Sequence, residues 1–129
     1  MRRIAIGILA VEGVLGLAWL ALLATVPAAG RWFLPEHLDP ALLRTLAVAD
    51  IVFFAAAPLA CAFGLARRAR WAQPVLWAHA GGIVYAALWG WGLVVVTGAG
   101  WAGALLMTPG ALVIPLLARA LGREAGGGA

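Results

Sequence analysis

Apolar residues fill four long stretches of the chain, and charged or turn-forming residues occupy the gaps between them. The stretches cover about residues 4–26, 41–66, 74–97 and 101–121. Each reaches the ~20 residues that a helix needs to cross the hydrocarbon core of a bilayer. The pattern predicts an all-α integral membrane protein, with four transmembrane helices in a compact antiparallel bundle. It forms one domain over 1–123, followed by a Gly-rich tail over 124–129 that is expected to be disordered. The opening Met1-Arg2-Arg3 and the small residues of Val26-Pro27-Ala28-Ala29 also fit a cleaved signal peptide. A signal core spans only ~7–15 residues, however, and this stretch is longer and carries Glu12, so it reads as a retained span.

The gaps supply start and stop signals. Asp39 is a good N-cap, and Pro40 follows where its missing N–H costs nothing. Arg67-Arg68-Ala69-Arg70 stops the second span, and Gln73-Pro74 opens the third. Gly98-Ala99-Gly100 is so short a turn that spans three and four must form an antiparallel hairpin. The long loop Pro27–Asp39 carries Trp32, Phe33 and Leu34, and is expected to lie along the membrane interface.

Charge then orients the bundle. Arg2, Arg3, Arg67, Arg68, Arg70, Arg119 and Arg123 fall on the side of the two termini, against Arg31 and the shallow Arg44 on the other. The positive-inside rule places both termini in the cytoplasm. Trp71 and Trp77 mark the inner interface, Trp32 and Trp101 the outer.

Composition sharpens the class. Hydrophobic residues make up 65% and charged residues 11%, and the chain has no Ser, Asn or Lys. Mean hydropathy is +1.02. A soluble domain is roughly half apolar and about a quarter charged, so a soluble fold and a disordered chain are excluded. The net charge of +4 does not signal nucleic acid, because the arginines sit at the ends of apolar runs rather than in a cluster. Cys61 is the single cysteine, so no intramolecular disulfide can form.

Helices in lipid associate through close backbone approach. Ala78, Gly82, Ala86 and Gly90 recur every four residues, which predicts that span three is central and that these residues form its contact face. Span one offers Gly13 and Gly16, span two Ala56, Ala60 and Gly64, and span four Gly103 and Gly110.

Chemistry inside the membrane rests on Glu12, Asp50, Cys61, His79, Tyr85 and Thr108. A buried acid costs ~2.5–3.5 kcal/mol on insertion scales and usually marks a pairing or a polar pathway. At ~1.5 Å per residue, Glu12 lies ~12 Å deep and His79 and Cys61 ~7–8 Å, while Asp50 and Tyr85 both come out near ~16 Å. Two layers are expected: Glu12 with His79 and Cys61, and Asp50 with Tyr85. Each residue also has a structural reading. Glu12 pairs with His79 or bonds a carbonyl, Asp50 partners Tyr85 or Arg44, Cys61 packs as a small apolar residue, and Arg44 anchors at the interface. The candidate ligand- or proton-binding residues are Glu12, Asp50, His79, Tyr85 and Trp89. His37 lies in the outer loop, far from His79, and no metal motif or cofactor motif is present.

Two segments are similar to the small multidrug-resistance exporters. Ile8-Leu9-Ala10-Val11-Glu12-Gly13-Val14 resembles that family's first-helix glutamate segment. Gly82-Ile83-Val84-Tyr85-Ala86-Ala87-Leu88-Trp89 resembles its third-helix tyrosine–tryptophan stretch. The resemblance implies that Glu12 binds protons and cations in competition, with Tyr85 and Trp89 lining its site. The chain departs from the family in its longer first loop, in Asp50 and His79, and in the short linker before span four. It also looks like four-span proteins of GC-rich bacteria, which implies an inner-membrane location. Three functions follow as expectations: a binding or accessory component of the membrane, a proton-coupled small-molecule transporter built as a dimer around Glu12, or a membrane enzyme acting on a lipid or quinone.

Overall fold

The computed structural model describes residues 1–35, 38–39 and 41–126, without the side chains of Pro27, Arg31, Leu43, Arg44, Ala125 and Gly126. The expectations for His37 and for the side chains of Arg31 and Arg44 therefore lie outside the described residues, as does the end of the tail. Helix α1 (Arg2–Thr25) leads through a 3-10 turn (Pro27–Trp32) to α2 (Ala41–Asp50). A π-helical segment (Ile51–Ala56) joins α2 to α3 (Ala57–Ala66). Helices α4 (Ala72–Thr97) and α5 (Trp101–Gly126) complete the chain. The described chain is all-helical, and four segments are long and apolar enough to cross a membrane: Arg2–Thr25, Thr45–Ala66, Ala72–Thr97 and Trp101–Glu124. Helix α5 continues through Glu124, beyond the expected end of the fourth span, and takes the first tail residues with it.

The local chemistry explains the helix ends. The Ala41 N–H donates to Asp39 Oδ1 at 2.8 Å, so the aspartate satisfies one of the free amides at the start of α2. After α3, Ala69 N–H donates to Gly64 O and Arg68 N–H to Leu65 O, the pair of reverse bonds that closes a Schellman turn. That turn demands a left-handed residue, and Arg68 supplies it at φ 55°. Gly98 at φ 70° and Gly100 at φ 82° do the same work in the α4–α5 hairpin, without the Cβ penalty.

The second span is not a uniform α-helix. Ala57 N–H donates five residues back to Val52 O rather than four. The cause lies one residue on, where Pro58 has no N–H and its ring crowds the preceding turn. The backbone widens into a π turn before the proline. This segment packs closely against α1 at Gly16. A Cβ at Gly16 would fall 2.6 Å from the carbonyl carbon of Phe54, and closer still to its oxygen.

Backbone packing runs in sequence order. Helix α1 packs on α3 and the π segment, α3 packs on α4, and α4 pairs most extensively with α5. The second and third spans share the centre, so span three does not hold it alone. Its buried stripe is also not the expected one. Ala72, Leu76, His79, Ala80, Ile83, Ala87, Gly90 and Val94 are buried, whereas Ala78 is exposed and Gly82 and Ala86 are only half-buried. A strict four-residue spacing advances ~400° per step, so it drifts ~40° each time and leaves the interface, while a mixed three-and-four spacing stays on it. Of the expected face, Gly82 and Gly90 serve as close contacts: a Cβ at Gly82 would run into the Phe53 ring of the π segment, and one at Gly90 would sit 3.3 Å from Ala104 Cα of α5.

The core gathers in the half of the bundle that holds the termini. Ala5, Leu9, Cys61, Leu76, Ile114 and Ala118 are among its fully enclosed members. Bulky apolar residues such as Val14, Leu17, Val95, Val96, Leu112 and Leu116 are exposed on the outside. A lipid-facing surface accepts that arrangement.

Candidate functional site

Two polar centres sit inside the bundle, one in each half. The inner one joins α1 to α4. His79 falls on the buried stripe of α4 and is 0% exposed. Glu12 stands three residues after buried Leu9 and four before buried Gly16, beside the face of α1 that meets the second span. Its Oε2 lies 3.2 Å from His79 Nε2, and its side chain keeps 19% exposure. The expected inner contact is therefore present.

The pair is only half satisfied. Glu12 Oε1 and His79 Nδ1 are buried with no hydrogen-bond partner among the described residues. Backbone amides of α1 and α4 are already engaged along their helices, so neither free atom finds one nearby. Gly110 of α5 faces the orphan oxygen: a Cβ built there would lie 3.7 Å from Glu12 Oε1. Glu12 also lines a groove of about 720 Å³ between α1 and α5, walled by Ile8, Val11, Leu15, Leu106, Val113 and Ile114. It is the charged residue on that wall among the described residues.

The outer centre surrounds Asp50, the last residue of α2. A cavity of about 360 Å³ is lined by Asp50 and by Trp19, Phe33, Phe53, Phe54, Tyr85 and Trp89. Trp19 and Asp50 share this lining. Asp50 and Tyr85 line one cavity, as the expected layer places them, but no hydrogen bond joins them among the described residues and Tyr85 is 72% exposed. The physical reason is angular, since Tyr85 lies outside the buried stripe of α4. Tyr85 and Trp89, expected around Glu12, both line the Asp50 cavity, and neither lines the Glu12 groove.

The other polar residues are structural. Cys61 is fully buried in the core beside Ala5 and Leu9. Thr108 donates to Ala104 O at 2.7 Å and accepts from Trp91 Nε1 at 3.0 Å. Gln73 donates to Ala118 O at 2.7 Å and ties the start of α4 to the end of α5. No group of three or more His, Cys, Asp and Glu residues forms a metal site among the described residues.

Trp19 is the site residue that sequence reasoning missed, although its signal was legible. Trp19 follows Glu12 by seven residues and Gly16 by three, so all three share one face of α1. Its ring lies 4.2 Å from that of Phe33 in a tilted pair, and Phe33 also lines the cavity. Trp19, Phe54 and Met107 line both the cavity and the groove, and so form the wall between the two polar centres. No family model, curated protein or solved structure matches the chain.

Proposed function

We propose that this protein is a small binding component of a bacterial inner membrane, and that it holds a bilayer-dissolved amphiphile in the α1–α5 groove. The observation that carries the reading is the unpartnered, buried Oε1 of Glu12, a residue that lines an otherwise apolar groove. An orphaned buried carboxylate oxygen costs ~1–3 kcal/mol or more until a donor reaches it. A head group carrying a hydroxyl or phenol supplies that donor, and its chain lies along Ile8, Val11 and Leu15.

The location and topology are part of the same proposal. Seven arginines on the side of the termini support a cytoplasmic N- and C-terminus. A reporter fused after Ala129 would read cytoplasmic, and a periplasmic reading would overturn the topology. For binding, native mass spectrometry of the gently solubilised protein is the direct test. The wild type is expected to retain one amphiphile per chain, and Glu12→Leu to lose it. Equal retention by both would overturn the reading. Co-purifying subunits in the same spectra would make it an accessory component of a larger complex.

One observation favours a second reading, a proton-coupled carrier working as a homodimer. The Glu12 groove and the Asp50 cavity adjoin at Trp19, Phe54 and Met107, so the two acids stand on either side of one thin wall. Ligand-dependent proton flux in sealed liposomes separates a carrier from a binding component.

A further inference from the structure

The outer cavity has a chemistry distinct from the groove. Trp19 from α1, Phe53 and Phe54 from the π segment, and Tyr85 and Trp89 from α4 converge on one space of about 360 Å³. Phe33 lines it from the first loop. Asp50 is half-buried on its wall, and none of the described lining residues is Arg, Lys or His. Aromatic faces carry partial negative charge, and a carboxylate adds a full one. A ring of such faces around an acid rejects anions, and favours a cation that can shed its water and still touch apolar walls. A metal ion does not fit, because the wall offers a single carboxylate and no cluster of oxygen donors.

We infer that the Asp50 cavity is a binding site for an organic ammonium ion. The alkyl groups lie against Trp19, Phe53 and Trp89, and the positive nitrogen faces the Asp50 carboxylate. Arg44 is the basic residue of α2. Its Cα lies six residues back along α2, which at ~100° per residue puts it ~120° around the axis from Asp50. Leu46, Ala49 and Phe53 continue the cavity face instead. The site is separate from Glu12 and stands whether or not the groove holds an amphiphile.

The full chain in dodecyl maltoside, an uncharged detergent, is the material for the test. Benzyltrimethylammonium is titrated and compared with neopentylbenzene, its neutral isostere, by saturation-transfer NMR and equilibrium dialysis. The cation is expected to bind at least about tenfold more tightly than the isostere, as a charge-assisted contact requires. Equal binding of the two would overturn the inference, and this comparison uses the wild type alone. Asp50→Asn should weaken the cation by about tenfold or more while Asp50→Glu restores most of it. Trp89→Leu should weaken it by several-fold. Loss of binding in Glu12→Gln with retention in Asp50→Asn would place the cation in the groove and overturn the assignment. Binding that emerges only in Arg44→Gln would show that the chain's own guanidinium is the occupant, and would overturn it too. Displacement by short-chain phosphatidylcholine assigns the cation to a lipid head group, and its failure assigns it to a free ammonium compound. Both results keep the ammonium chemistry.

Discussion

Gly16→Ala tests the point on which the two polar centres depend. A Cβ at position 16 would fall 2.6 Å from the carbonyl carbon of Phe54, whereas real Cβ atoms keep at least 3.0 Å. The helices must separate by no less than the 0.4 Å difference, and by more to clear the Phe54 oxygen. The obstacle is backbone on both sides, so no rotamer change relieves it. Overpacking of this kind costs ~1–3 kcal/mol, and the rigid neighbour points to the upper end. Replacing glycine within a helix returns up to ~1 kcal/mol of propensity, so a net loss of ~2 kcal/mol is expected. Gly81 and Gly92 are the matched controls on α4, with nothing within 4 Å of an added Cβ. Gly81→Ala and Gly92→Ala should be neutral or gain up to ~1 kcal/mol. Reversible unfolding in dodecyl maltoside with increasing SDS, followed by far-UV circular dichroism, reads all three. The displacement should also propagate, because Glu12 lies one turn before Gly16 and Trp19 three residues after it. A Gly16→Ala protein as stable as Gly92→Ala would refute the close approach of α1 to the π segment.

Two further outcomes follow from single contacts. In a double-mutant cycle of Glu12→Gln and His79→Gln, the losses should be non-additive by ~0.5–3 kcal/mol, and additive losses would mean that the 3.2 Å contact carries no energy. Arg68→Gly removes a Cβ from a left-handed position at φ 55°, and should raise the same unfolding free energy by up to ~1 kcal/mol, the lower part of the usual ~1–2 kcal/mol penalty; a loss of stability would count against the Schellman turn.

The sequence by itself determined the elements. A bilayer crossing demands ~20 apolar residues, so four helices long and apolar enough to cross one, and the turns between them, follow from local composition. Asp39, Gly98 and Gly100 mark boundaries because caps and left-handed turns have strict residue requirements. The contact between Glu12 and His79 was also legible, since axial depth depends only on counting residues from a span's end. Tertiary structure alone decided which face of each helix turns inward. Every face here is apolar, so no polar stripe distinguishes lipid from neighbour, and the Ala78-to-Gly90 series looks as suitable as the real interface. Packing selected the Ala72-to-Val94 stripe, because its mixed spacing keeps pace with the helix. That rotation left Tyr85 largely exposed, although it still lines the cavity together with Trp19 and Asp50. The π turn before Pro58 was decided the same way. Proline forbids a regular bond at that level, but only the proximity of Gly16 shows where the widened backbone goes. The groove, the aromatic cavity and the wall between them exist only once three or four helices are assembled, because each takes its lining from several of them.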